Sequence, residues 1–183
     1  MSRPVILWFR QDLRLADNRA LAAACALGVP VIPIFVLDDN SPGRWKPGSA
    51  SRWWLHASLA TLADDLSARG GRLVLRRGAT AALLADLVAT TGAGAVHFSR
   101  CYEPWQRALE TQVQQRLAGT GIDVRRFAGS LLREPEEVAT KAGDPFRVYT
   151  PFWRSHTAEG IAPPRPRPGR LRRSRRSRSR ATR

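Results

Sequence analysis

The chain has 183 residues, 43% of them hydrophobic, which suits one domain with a sizeable core. No run approaches the roughly 20 apolar residues that cross a bilayer, and the N-terminus enters an apolar strand-like segment directly, so neither a membrane span nor a secretory leader is expected. The formal charge of +15 suggests nucleic acid as a partner, but ten of the 30 basic residues and one of the 15 acids lie in 155–183, so the excess belongs mostly to the tail.

Pro4–Phe9 reads as a buried strand. Asp17 is placed to cap a helix that runs to about Leu27 and ends at Gly28. Val29–Leu37 is a second strand, whose Pro33 counts against a central place in the sheet. The Pro- and Gly-bearing stretch Asp38–Gly48 is a loop, after which Ser49 or Ser51 opens a long helix with Leu55, Leu59, Leu62 and Leu66 on one face. Arg72–Arg76 is a third strand, Thr80–Thr91 a helix, and Ala93–Phe98 a fourth strand. Pro104 opens a helix striped by Leu109, Val113 and Leu117, and Ile122–Phe127 is a fifth strand. Five strands alternating with four helices predict a doubly wound, mostly parallel, Rossmann-like α/β sheet with helices on both faces.

The predicted organisation is an α/β domain over 1–127, a connector over 128–154 and a disordered arginine-rich tail over 155–183. Two cysteines, Cys25 and Cys101, suit a reducing compartment, and the expected location is the cytoplasm.

Ligands of open α/β sheets bind at the carboxyl ends of the strands. Here those ends carry Arg10, Asp38, Asp39, Arg77, Arg100, Cys101, Tyr102 and Glu103, a mixture that suits either a cleft or plain solvent exposure. No glycine-rich phosphate loop, no nucleophile elbow and no metal-ligand spacing of His56, His97, His156 and the cysteines occurs, so no catalytic or metal residue is expected. His97 reads as a hydrogen-bonded structural histidine, and Asp64–Asp65 as a solvated helix face. Trp53, Trp54 and Trp105 are flat enough to stack on a ligand ring, although packing in a core or against a partner domain is the plainer reading for the first two.

Four blocks carry a resemblance. Trp8-Phe9-Arg10-Gln11-Asp12-Leu13-Arg14-Leu15 with Asp17-Asn18 and Ala20-Leu21, then Ser51-Arg52-Trp53-Trp54-Leu55-His56, then Tyr102-Glu103-Pro104 with Arg107, then Tyr149-Thr150-Pro151-Phe152-Trp153-Arg154 follow one another in order. The set resembles the N-terminal α/β domain of DNA photolyases and cryptochromes, cut off before the helical domain.

The resemblance implies that intact relatives use FAD, held in the helical domain, for light-driven repair of pyrimidine dimers in DNA. The chain alone is then expected to be inactive and at most to hold a light-harvesting antenna chromophore. It implies an antenna site near Arg10, Phe35, Leu37, Arg52, Cys101 and Glu103, with the missing helical domain as the natural partner of the aromatic blocks. Trp105–Gln106 stands where folate-binding members carry Asn–Glu, and Cys101 where deazaflavin-binding members carry an acid. A flavin or deazaflavin type is therefore expected ahead of folate, with no antenna as the remaining option.

The tail has an expected origin of its own. In an alanine-rich, lysine-poor chain, an abrupt Arg/Pro/Ser segment is what a shift of reading frame in GC-rich coding DNA writes. A basic arm for nucleic acid, binding without sequence preference through Arg172, Arg173, Arg175 and Arg176, and an RS-like localisation segment are the alternatives. A small nucleic-acid-binding module with a basic arm is accordingly the alternative function.

Overall fold

The computed structural model describes residues 2–140, 142–158 and 160–172. Five parallel strands form one sheet in the order β3-β2-β1-β4-β5, with β1 Val5–Phe9, β2 Val31–Leu37, β3 Val74–Arg77, β4 Ala95–Ser99 and β5 Asp123–Phe127. Helices α1 (Arg19–Ala26), α2 (Ser49–Ser67), α3 (Thr80–Thr91) and α4 (Pro104–Leu117) make the crossovers, and α5 (Tyr149–Ala158) follows the connector. The Rossmann-like expectation holds.

Alternation along β1 splits the core in two. Ile6 and Trp8 face α3 and α4, together with Leu84, Val113 and Phe98. Val5, Leu7 and Phe9 face α1 and α2, together with Leu21, Leu62 and Leu66. All five β1 residues are buried, as a central parallel strand covered on both faces requires.

Local signals set the element ends. Asn18, not Asp17, caps α1: its side chain accepts the Leu21 N–H at 2.9 Å. Asp17 has φ +49 and turns its carboxylate away, to the Arg165 N–H at 3.2 Å. α2 opens at Ser49, one of the two expected serines, with Gly48 before it. α3 lacks a cap of its own, and Asp38 supplies one from the end of β2 by accepting the Thr80 N–H at 3.1 Å. Gly92 ends α3 in the left-handed conformation.

Pro33 does sit in an internal strand, contrary to the expectation from its missing N–H. β3 pairs only with Ile34–Leu37, so at Pro33 one edge of β2 still has no ladder to complete. Strands β2, β3 and β4 start two residues later than their apolar runs suggest, although Pro30 still accepts the Val5 N–H and Gly94 still donates to the Pro4 carbonyl at the edge of the sheet.

The segment after the sheet is tied back to it. Glu134 accepts bonds from Arg100 (2.8 Å), from the Tyr102 hydroxyl (2.8 Å) and from the Gly129 N–H (3.2 Å). α5 runs across the predicted boundary between residues 154 and 155. Residues 160–172 have no regular secondary structure, yet they lie along the α1–α2 face. Leu171 is 4% exposed within the core under that face, and its N–H donates to the Arg69 carbonyl at 2.8 Å. Arg173, Arg175 and Arg176 lie outside the described residues.

Candidate functional site

The strand order reverses between β1 and β4, and a cleft opens over the carboxyl ends of the strands there. Its volume is about 660 Å³. The floor is Trp8, Phe9 and Arg10 from β1 and Phe35, Val36 and Leu37 from β2. Trp54 and Leu55 of α2 and Trp105 and Leu109 of α4 supply walls, from helices that pack on opposite faces of the sheet. Gln11, Arg14, Ser51 and Ser58 are the polar groups around the opening.

Arg10 is the group the fold treats most carefully. It is 7% exposed, and its guanidinium donates to the Glu110 carboxylate and to the Gln106 side-chain oxygen at 2.8 Å. It lies 4.5 Å over the Trp8 ring. Glu110, itself 2% exposed, also accepts the Cys101 N–H at 3.0 Å. Arg10 thus spends its donors inside the protein and braces Trp8, and its charge at the cleft is balanced by Glu110.

Asp12 performs a second bracing role. It accepts the Arg10 N–H at 3.0 Å, the Ser99 hydroxyl at 2.6 Å and the Asn18 amide at 3.0 Å. The ends of β1 and β4 and the start of α1 are fixed to one carboxylate, which gives the Arg10–Asp12–Asn18 spacing in the sequence a structural cause. At the end of β2, burial alone would raise the Asp38 carboxyl. Donors from Ser41, Thr80 and Asn40 outweigh that and hold it at about 2.

Of the residues expected at the site, Arg10, Phe35 and Leu37 line the cleft. Arg52 is turned aside, pairing with Asp39 at 2.6 Å and with the Pro47 carbonyl at 3.1 Å. Cys101 is buried behind Arg10, and burial pushes its thiol up to about 12, which disfavours the thiolate. Glu103 stands beside the cleft and holds two groups that line it, accepting from Gln11 at 3.1 Å and from Gln106 at 3.0 Å. Burial works against the Glu103 charge, but its own and the Tyr102 backbone N–H groups, Gln11 and the Arg10 charge keep its carboxyl below the usual range.

Trp8, Leu13, Arg14 and Ser51 line the cleft without having been singled out for it, and so does Gln106, which had been weighed only against folate. Trp8 was hidden by being an ordinary apolar letter in a strand, and Arg14 by sitting beyond the strand end in a loop. Trp53 and Trp54 are 71% and 70% exposed, so neither is core, and Trp54 alone of the two reaches the cleft. Among the described residues no group of three or more His, Cys, Asp or Glu could hold a metal, and no helix is long and apolar enough to cross a membrane.

The DNA photolyase family model matches residues 5–169. This chain belongs to the DNA photolyase family. It is 48% identical over 152 residues to the deoxyribodipyrimidine photo-lyase of Agrobacterium fabrum, covering 83% of this chain and 31% of that protein. It is 42% identical over 149 residues to Cryptochrome-1 of Arabidopsis thaliana, covering 81% and 22%. The crystal structure of a bacterial class III photolyase from Agrobacterium tumefaciens superposes with a TM-score of 0.87 at 44% identity, over 96% of this chain and 36% of that one. The photolyase-family chain thus spans about a third or less of the length of these relatives, and corresponds to their N-terminal α/β domain.

The aromatic block after the connector also has a clear geometry. Tyr149 and Trp153 of α5 stack with centroids 6.2 Å apart at 12°, and Phe152 lies over His156 at 5.5 Å. Tyr149 and Trp153 are 69% and 47% exposed. An exposed, ordered aromatic ledge at this point suits packing against further protein.

Proposed function

We propose that the cleft over β1, β2 and α4 holds a planar light-harvesting chromophore, and that this chain is the antenna half of a photolyase-type protein. The observation that carries the reading is the wall chemistry. Three tryptophans, Trp8, Trp54 and Trp105, border one cavity of about 660 Å³, while Arg10, Gln106 and Asp38 spend their polar groups on the protein. Such a cleft rewards a flat conjugated ring by stacking and leaves few groups for a strongly charged core.

Arg14 is the exception at the rim. Its side chain is exposed and, among the described residues, makes one hydrogen bond, to the Asp17 carbonyl at 3.3 Å, so donors remain for an acidic or carbonyl edge of the ligand. Folate, flavin and deazaflavin rings all offer the required flat face. Gln106 is engaged by Arg10 and Glu103, which leaves it poorly placed to hold a pterin as a free glutamate would. On this reading the FAD-dependent, light-driven splitting of pyrimidine dimers in DNA belongs to the intact protein, and this chain supplies excitation energy but no catalytic residue.

The test is reconstitution of the purified chain with a reduced folate, a flavin and a deazaflavin, followed by absorption and fluorescence titration. One chromophore should bind stoichiometrically, and Trp54→Ala and Trp105→Ala should each weaken it about tenfold, as the loss of one stacking face implies. Binding of none of the three to a folded chain would overturn the reading.

A further inference from the structure

We propose that residues 160–172, docked on the α1–α2 face, form a fixed track for the phosphate backbone of duplex DNA. The backbone is anchored at both ends. Asp17 donates its N–H to the Arg165 carbonyl at 2.9 Å and accepts the Arg165 N–H at 3.2 Å. At the far end, Leu171 donates to Arg69, Val31 donates to the Arg172 carbonyl at 3.1 Å, and the Arg172 guanidinium reaches the Gly28 carbonyl. Around and beyond the first anchor Pro164, Pro166 and Pro168 alternate with Arg165 and Arg167. Each proline fixes its own φ and holds the preceding residue extended, so the run is stiff before it docks.

What the anchored strap presents is charge. Arg165, Arg167, Arg170 and Arg172 are exposed, and Arg19 of α1 and Arg69 at the end of α2 flank them. Against these six stand Asp17, Asp64 and Asp65. Arg69 and Arg167 share Asp65 at 3.9 Å each, the long end of ion pairing. Among the described residues Arg19, Arg165 and Arg170 have no carboxylate within ion-pair distance.

Guanidinium groups with donors to spare match phosphate oxygens two at a time. An extended chain advances about 3.3 Å per residue, so Arg165 and Arg167 stand about 7 Å apart along the track. Successive phosphates of one DNA strand rise about 3.4 Å along the axis and also step around it, so their spacing along the backbone is comparable and the two arginines can meet neighbouring phosphates. The exposed side chains between the arginines are prolines and glycine, which have nothing to insert into a bilayer and no flat ring or amide to read a base. The track therefore binds without sequence preference and differs from a free polycation in that its arginines are already ordered.

The test is a salt series of binding isotherms with the full chain and a short labelled duplex of arbitrary sequence. Replacing Arg165, Arg167 and Arg170 with Gln should cut the slope of log affinity against log salt by about 2 to 3, at about 0.9 per phosphate contact. Leu171→Ser keeps every charge but frees the strap, and should weaken binding about tenfold by restoring the entropy of ordering. Because that variant carries a risk to folding, Arg19→Gln with Arg69→Gln, on the domain side, should lower the slope by about 1 to 2. An unchanged slope in the Gln triple variant would place the binding beyond residue 172 and overturn the proposal. Full affinity in folded Leu171→Ser, or in the Arg19/Arg69 variant, would do the same by showing a free polycation. Capture of the chain by anionic lipid vesicles but not by DNA also overturns it.

Discussion

Leu171 fills the space that a β-carbon on Gly71 would need, with its Cδ1 2.8 Å from that point. Exon-like boundaries drawn from composition would put Leu171 in a charged tail, a hundred residues from Gly71, yet the pair closes the core under α1 and α2.

Leu171→Ala should therefore destabilise the chain by about 2 kcal/mol, the lower range for a buried leucine because the strap can settle into the gap. Gly71→Ala should act in the same direction but more weakly, since the clashing atom is the end of a mobile side chain while the Leu66 carbonyl, 3.3 Å away, is not. Urea unfolding followed by far-ultraviolet dichroism measures both. No loss of stability in either variant would mean that the strap is not part of the folded unit.

The buried Arg10–Glu110 pair makes a second case. Removing one partner leaves the other charge uncompensated in a dry site, so Glu110→Leu should cost about 3 kcal/mol or more. Replacing both residues by apolar ones of similar volume should recover much of that loss. A double-mutant cycle checks it, and additive losses would show that the pair is not coupled.

His97 is 1% exposed, as expected of a structural histidine; among the described residues its ring nitrogens make no hydrogen bond of good geometry, and the Ala20 backbone supplies only a weak contact. It packs on Phe127 with centroids 5.0 Å apart. Burial lowers its pKa, with Asp123 and the Ala20 backbone pulling the other way and Arg125 adding to the decrease. The unfolded chain then binds a proton that the folded chain refuses once the pH drops below about 6.5, the ordinary histidine value. Stability should be intact above that pH and fall below it by up to about 1.4 kcal/mol per unit, until the folded pKa is reached. His97→Phe should flatten this part of the pH–stability curve; an unchanged curve would assign the acid sensitivity elsewhere.

At the cleft, the two candidate arginines make opposite predictions. Arg14→Ala should weaken chromophore binding about tenfold, as expected for a lost charge-assisted hydrogen bond. Arg52→Ala should have a smaller effect, because Arg52 is committed to Asp39 and Pro47 and acts through the loop between β2 and α2. Titration of both variants with the chromophore retained by the parent settles the ranking, and the reverse order would mean that Arg52 turns into the cleft on binding.

The fold was legible because its signals are local. Continuous apolar runs, glycine ends and the alternation of strand and helix lie within a few residues of one another, and parallel pairing with right-handed crossovers leaves few ways to assemble them. The family blocks were legible for the same reason, as contiguous letters. The candidate site was half legible. Arg10, Phe35 and Leu37 follow from the rule that strand ends bind ligands, but nothing in the sequence says which way a side chain beyond the strand end will turn.

That choice was made by partners far along the chain. Glu110 and Gln106 draw Arg10 inward, Asp39 draws Arg52 aside, and burial behind Arg10 takes Cys101 out of the cleft. The tail shows the same division. Its composition gives the high positive charge, and residues 160–172 have no regular secondary structure, although 155–158 belong to α5. Only tertiary structure decided that a single leucine in it would find the gap at Gly71, because one buried side chain and a few backbone hydrogen bonds leave no periodic mark on a sequence.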